Sequence, residues 1–257
     1  MLASGSISMA VAEGGRWRTT ADLLIDRIRL QYFHDTTRLF YNYASYGFGV
    51  ELRRGFSSFA SQVYPILALY QYGEAFECGW AIRLANSAAE RLIALQGPRG
   101  EWPWFYYVPG GQIVDFYDVY SVHQHGMAPA FLHHAMAHGV ENAREAMIKG
   151  FQWLFGANEL GTSMLRPAEH LFYRSQLRQG ELRTALPRVA RSMFNGLSGQ
   201  SDTIGNYKRL VLRKECRSYE LAWILWSFGG RTDYPELTDR EEFQVERLPS
   251  SMPVSQV

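Results

Sequence analysis

The chain has 257 residues, of which 47% are apolar and 20% are charged, and its 26 Lys and Arg residues nearly balance its 25 Asp and Glu residues. The resulting net charge of +1 provides no general attraction to nucleic acid or to an anionic membrane. The best apolar stretch, from Leu221 to Phe228, falls well short of the roughly 18 to 20 residues that span a bilayer. Composition therefore predicts a globular protein without a membrane span or a nucleic-acid partner.

Three regions are expected along the chain. Residues 1–16 lack the basic start and the continuous apolar centre of a secretory signal, which predicts a disordered leader. Residues 17–234 carry the patterns of one domain, and residues 235–257 form a polar tail that is expected to be partly disordered. The only two cysteines, Cys78 and Cys216, are far apart, which favours reduced thiols in a cytoplasmic protein.

Apolar residues at helical spacing, ended by Gly or Pro, predict about seven helices. In chain order these helices cover approximately residues 20–32, 58–72, 74–95, 127–139, 141–155, a segment within 158–206, and 215–228. Pro65 is expected to kink or restart the second helix because it lacks a backbone donor. Most of the helices would form consecutive antiparallel hairpins, which predicts an all-α domain.

Two aromatic segments interrupt the helical pattern. Residues 33–55 contain aromatic and glycine residues without a helical period, which predicts an ordered loop or short strands. Residues 102–120 combine aromatic and β-branched residues around the Pro109-Gly-Gly turn. This composition predicts a β-hairpin or a long structured loop inserted after the third helix.

Five of the seven histidines lie close together, after this second aromatic segment: His123, His125, His133, His134 and His138. Imidazole titrates near neutrality, and burial tunes a carboxylate or a phenol, so such groups together suit acid and base catalysis. The predicted catalytic residues are His123, Tyr120, Glu101 and Asp118. The alternative is that His123 only forms a hydrogen bond that fixes the loop to the helix.

Neither a metal nor a cofactor is predicted. His134 and His138 are four residues apart, a spacing that suits two metal ligands on one helix face. However, the Glu of the metalloprotease motif is missing and no third ligand is indicated, so we expect solvated or capping side chains. The chain also lacks the glycine-rich phosphate and dinucleotide motifs and the Gly-x-Ser-x-Gly elbow.

The predicted substrate-binding residues are Trp102, Trp104, His125 and Arg217. The tryptophan rings suit stacking on sugar rings, although packing between helices would explain them equally well. Arg217 belongs to a basic cluster before the last helix and suits a substrate carboxylate, although such clusters are usually solvated.

The chain resembles the α/α-toroid proteins, a group that includes terpenoid cyclases and six-hairpin glycosidases. The segment from Gln96 to Trp102 matches the Q-x-x-x-G-x-W pattern that follows a helix in these proteins. The segments 101–107 and 119–129 look similar to uncharacterised bacterial toroid proteins associated with polysaccharide metabolism. The resemblance implies a ring of antiparallel helical hairpins with a pocket at one end. About seven helices, where a complete ring needs about twelve, would mean either that the toroid is incomplete or that the start of the sequence is truncated.

Three functions are compatible with this resemblance. The first is processing of a bacterial polysaccharide or a uronate-containing glycan by hydrolysis, elimination or epimerisation. The second is a non-catalytic helical scaffold or glycan-binding module, which buried histidines satisfied by backbone groups would favour. The third is terpenoid cyclisation, which a pocket lined by several charges would disfavour; the acidic Asp-x-Asp-Asp motif of such cyclases is absent.

Overall fold

The computed structural model describes residues 2–44, 53–169, 171–179, 186–202 and 210–238. The helices in this part of the chain are α1 (Leu2–Glu13), α2 (Arg16–Arg27), α3 (Phe59–Ala75), α4 (Gly79–Ala94), α5 (Ala128–Ala137), α6 (Ala143–Leu154), α7 (Leu186–Ser198), α8 (Ser218–Phe228) and α9 (Pro235–Thr238). Two π-turns extend them: Ile28–Tyr32 continues α2, and His123–Met127 leads into α5. None of the helices in these described ranges is long and apolar enough to cross a membrane.

The prediction of an all-α domain is wrong, because the described residues also form four small antiparallel sheets. The strands are β1 (Phe33–His34), β2 (Leu39–Phe40), β3 (Phe56–Ser58), β4 (Phe105–Tyr107), β5 (Gln112–Asp115), β6 (Val119–Tyr120), β7 (Leu165–Arg166), β8 (Leu171–Phe172), β9 (Ser175–Arg178) and β10 (Leu210–Arg213). The sheet orders are β1-β2, β3-β4-β5, β10-β9-β6 and β7-β8. Strands of two to four residues are too short for apolar alternation to be recognised in a sequence.

Helix α3 lies at the centre of the helical part and contacts α1, α2, α4 and α5. Ser58 precedes its first residue, and the Ser58 side chain accepts a hydrogen bond from the Ser61 amide and so caps the helix. It continues without a break through Pro65, where the sequence predicted a kink or a restart. The buried amide of Gln62 bonds both the N–H and the C=O of Phe40, which fixes β2 against α3.

Helices lie at both ends of the described part of the chain. Where the sequence predicts a disordered leader, α1 buries Ala3, Ile7 and Ala10 against its neighbours. These residues recur at helical spacing, but two of them are small and give a weak apolar signal. At the other end, Leu237 of α9 is buried, whereas residues 239–257 of the predicted tail lie outside the described residues.

The turn that connects α4 to the aromatic segment depends on close backbone packing. The Gly97 N–H donates to the Glu101 carbonyl over 2.8 Å. The side-chain amide of Gln96 donates to the carbonyls of Gly100 and Ala146, which ties the turn to α6. Gly100 has φ +97°, and a Cβ at this position would overlap the backbone of Lys149.

We expect Gly100→Ala to destabilise the fold by roughly 1–3 kcal/mol more than Gly139→Ala. Gly139 also has a positive φ, +77°, but no atom lies within 4 Å of the position of its Cβ. Both variants therefore lose stability because alanine disfavours a positive φ, and only Gly100→Ala adds the clash with α6. Urea unfolding of the two variants would measure the difference, and equal stabilities would contradict the close approach.

Candidate functional site

The candidate site is built around the π-turn His123–Met127, all five residues of which are buried. π-Turns are rare and are found frequently at functional sites. This one follows β6 and precedes α5, and it packs against α6 and α8. It therefore holds two histidines at the junction of a sheet and three helices.

Three of the predicted site residues meet beside this turn. The ring of His123 lies 6.0 Å from that of Trp104, nearly parallel to it, and 5.2 Å from that of Tyr120. The rings of Trp104 and Tyr120 are 5.0 Å apart. Trp102 is fully buried and contacts Phe59, whose ring lies 4.6 Å from that of His123, so Trp102 contributes to packing rather than to an accessible surface.

The imidazole of His123 is neutral at physiological pH. Burial, with a smaller effect of His125, lowers the pKa of His123 to about 3. Its Nδ1 atom has no hydrogen-bond partner among the described residues, and only 3% of the residue is exposed. The alternative that His123 merely fixes the loop by a hydrogen bond through this nitrogen therefore finds no support in the geometry.

A second histidine of the turn faces a carboxylate that the sequence analysis missed. His125 Nε2 lies 3.9 Å from Glu220 Oε2 of α8, and both side chains are fully buried. Within the described part of the chain, neither ring nitrogen and neither carboxylate oxygen has a hydrogen-bond partner. Burial lowers the pKa of His125, and Glu220 opposes this effect. One feature of the sequence could have identified Glu220: it is a lone carboxylate at the start of an otherwise apolar helix.

The arginine at the site is Arg174, not the predicted Arg217. The guanidinium of Arg174 lies 5.3 Å from the centre of the Tyr120 ring and bonds Glu215 over 2.6 Å. Arg217 is half-exposed and contacts Glu215 only at 3.8 Å. Asp118, predicted as a catalytic acid, is buried and bound to Arg213 at 3.0 Å.

Glu101, the fourth predicted catalytic residue, belongs to a different buried group. Burial and the neighbouring Glu159 raise the pKa of Glu101 to about 8. One of its carboxylate oxygens accepts a hydrogen bond from the Arg99 N–H. The other carboxylate oxygen, Oε1, and Glu159 Oε1 have no partner among the described residues, and one shared proton would satisfy both.

This carboxylate pair makes stability depend on pH. Between pH values of about 4.5 and 8 the folded chain keeps a proton that an unfolded Glu101 releases, so the free energy of unfolding falls as pH rises through this window. We expect Glu101→Gln to flatten this dependence in melting temperatures measured from about pH 5 to about pH 8.5. Glu141→Gln, at an exposed position, should keep the wild-type slope. A Glu101→Gln protein with the wild-type slope would contradict the shared proton.

A row of half-buried aromatic side chains leads to His123 across the β3-β4-β5 sheet. Phe56 and Tyr107 pair across β3 and β4, with ring centres 5.1 Å apart. Phe105 lies 6.1 Å from Phe56 and 6.3 Å from Trp104, nearly parallel to both. The aromatic row is Tyr107, Phe56, Phe105 and Trp104, and it ends at Tyr120 and His123.

The second pair of histidines lies elsewhere and is used for packing. His134 Nδ1 and His138 Nε2 both bond the same Glu74 oxygen, at 2.7 and 2.9 Å. Both rings stack on Tyr70. Within the described ranges, no group of three or more His, Cys, Asp or Glu residues is arranged to hold a metal ion.

No protein-family model matches this chain, and no curated protein or solved structure is significantly similar to it. The resemblance to the α/α-toroid proteins therefore stays a prediction.

Proposed function

We propose that this protein acts on an acidic glycan and moves a proton next to a substrate carboxylate, by elimination or by epimerisation. The observation that carries the proposal is the aromatic row, which ends at a phenol, an imidazole and an arginine: Tyr120, His123 and Arg174.

The aromatic row suits a carbohydrate chain. The C–H faces of sugar rings are apolar and pack on aromatic rings, while the sugar hydroxyls stay available to polar groups at the edges. The four rings of the row are half-buried, so each keeps part of its surface for a ligand. Consecutive ring centres lie 5.1 to 6.3 Å apart, which makes the row continuous, although Gly196 of α7 packs against Phe56 and Tyr107.

The end of the row suits proton transfer at a carbon next to a carboxylate. A base must remove that proton, and a cation must stabilise the charge that develops on the carboxylate. Tyr120 and neutral His123 supply the proton-transfer groups. Arg174 supplies the cation, because its partner Glu215 is half-exposed and a substrate carboxylate can replace it.

Hydrolysis is less well supported. It requires two carboxyl groups on opposite sides of the scissile bond, one of them as the acid. Two carboxylates of the surrounding segments, Asp118 and Glu215, are both held in ion pairs with arginines. Glu101, whose raised pKa would suit an acid, is bound to the Gly97 turn instead.

A non-catalytic glycan-binding module is the second candidate. The depth of His123 favours it, because a residue that is 3% exposed meets a substrate only after some movement. However, the unpartnered nitrogens of His123 and His125 are not satisfied by backbone groups, as a purely structural role would require. The charges of Arg174, Asp118 and Arg213 disfavour a terpenoid site, which is expected to be dry and apolar.

The test is incubation with neutral and uronate-containing oligosaccharides in deuterated water, followed by mass spectrometry. Elimination gives shorter products with an unsaturated end, and epimerisation gives unchanged length with deuterium bound to carbon. Arg174→Gln should lose this activity, whereas Arg144→Gln should keep it. Arg144 is a matched control, since it also bonds a glutamate, Glu236, and also lies over a tyrosine ring, Tyr234. Shorter products with added water would show hydrolysis, and binding without any product would show a binding module.

A further inference from the structure

The buried Glu220 lies opposite His125 at the base of the candidate site, and we infer that it is a positioning residue. It holds a proton on Nε2 of His125, leaves Nδ1 as the unprotonated nitrogen of the neutral ring, and so fixes the orientation of the π-turn that carries His123. The inference concerns the folded chain itself and can hold whether or not the proposed function is correct.

The first argument is the energetic cost of the arrangement. A buried carboxylate without hydrogen bonds is strongly destabilising unless a charged or N–H donor faces it. Glu220 is fully buried, and its one ionisable partner within the described residues is His125, at 3.9 Å. Because Nε2 is the ring nitrogen in this pair, a proton on Nε2 places an N–H bond on the side of the ring nearest the carboxylate, although 3.9 Å is longer than a hydrogen bond.

The second argument is the position of Glu220 in its helix. It occupies the third position of α8, after Ser218 and Tyr219. A Glu at this position commonly reaches back to the N-cap backbone. Here its oxygens have no partner within the described part of the chain, and the residue is turned inward. The first turn of a helix is a favourable place for an acidic side chain because of the helix dipole, so the location of Glu220 in α8 needs no backbone partner to explain it.

The third argument is that one face of α8 is devoted to the π-turn. Ser227 Oγ donates to the Gly126 carbonyl over 2.8 Å. Gly126 also approaches Trp223 so closely that a Cβ on Gly126 would overlap the tryptophan side chain. Glu220, Trp223 and Ser227 are three and four residues apart, so they share this face. Glu220 therefore acts on a turn that two other contacts already hold against α8.

The groups that set the charge of His125 come from two elements. His123 lies on the same π-turn, and protonation of either histidine disfavours protonation of the other. Glu220 lies on α8 and has the opposite effect. Phe172 of β8, whose ring is 5.0 Å away, contributes no charge. Removal of the Glu220 carboxylate should therefore remove the negative charge that keeps a proton on Nε2 of His125.

The test is long-range proton–nitrogen NMR of the full chain with labelled histidine rings, which identifies the protonated nitrogen directly. We expect His125 to carry its proton on Nε2 near neutral pH in the wild type. In Glu220→Gln, an isosteric change, the titration midpoint of His125 should fall by about 1 pH unit or more. Glu220→Asp keeps the negative charge, so its His125 titration midpoint should lie much closer to the wild-type value than that of Glu220→Gln.

Glu145→Gln is the matched control. Glu145 occupies the same third position in α6 but is exposed, and its replacement should leave the His125 signals unchanged. A wild-type His125 with its proton on Nδ1 would overturn the inference even if Glu220→Gln failed to fold. An unchanged tautomer and midpoint in a folded Glu220→Gln protein would also overturn it. Because no substrate is used, neither result depends on the glycan activity.

Discussion

Tyr120→Phe is expected to lower turnover of an acidic oligosaccharide by about 10²- to 10⁴-fold, the range that a positioned proton-transfer group contributes. The substitution removes only the hydroxyl group. The ring remains, and with it the contacts to Trp104 at 5.0 Å and to His123 at 5.2 Å. The loss should therefore appear in kcat, with KM changed by only a few-fold.

The measurement is the rate of carbon-bound deuterium incorporation, or of unsaturated product formation, against substrate concentration. Tyr234→Phe is the control, because Tyr234 also lies under an arginine and also contacts a histidine, His133. That variant should retain the wild-type rate. A Tyr120→Phe enzyme with the wild-type kcat would remove Tyr120 from the chemistry and leave it as part of the sugar platform.

The sequence was sufficient to predict the local part of this site. Trp104, Tyr120 and His123 lie within twenty residues of one another, where an aromatic segment meets a helix, and the structure brings their rings together. Proximity in the sequence did not predict the position of Glu101, because the Gly97 turn directs its carboxylate towards Glu159. It did not predict the position of Arg217 either, which precedes α8 and is half-exposed.

The residues that the sequence analysis missed come from distant segments. Arg174 reaches Tyr120 because β9 pairs with β6, and Glu220 reaches His125 because α8 packs on the π-turn. The β10-β9-β6 sheet was missed for the same reason. Val119 pairs with Gln176, and Gln176 pairs with Leu212, so each pairing joins short segments separated by tens of residues. Local periodicity carries no information about such partners.

Arg178→Met is expected to lower the free energy of unfolding by about 3–5 kcal/mol, because it would remove a buried cation that bonds two buried carboxylates, one of which, Asp115, also contacts Arg191 at 3.4 Å. Arg178 bonds Asp115 over 2.6 Å and Asp202 over 2.5 Å, and all three side chains are at least 93% buried. The methionine keeps much of the side-chain length, so the loss reports the charge rather than a cavity. For a chain of this size the melting temperature should fall by roughly 10 °C or more.

Arg166→Met is the control, because Arg166 pairs with Glu169 at the surface, where an ion pair contributes about 0–1 kcal/mol. Equal losses in the two variants would show that the buried ion pairs do not stabilise the fold.

The same ion pairs connect the fold to the proposed function. Asp115 ends β5, in the sheet that carries the aromatic row, whereas Arg178 ends β9, which pairs with the strand of Tyr120. Arg178 therefore joins the sugar platform to the proton-transfer group. An Arg178→Met protein that is assayed well below its melting temperature should still lose turnover, because Arg178 no longer joins the β3-β4-β5 sheet to the β10-β9-β6 sheet. Full turnover under these conditions would mean that the helices alone position the site.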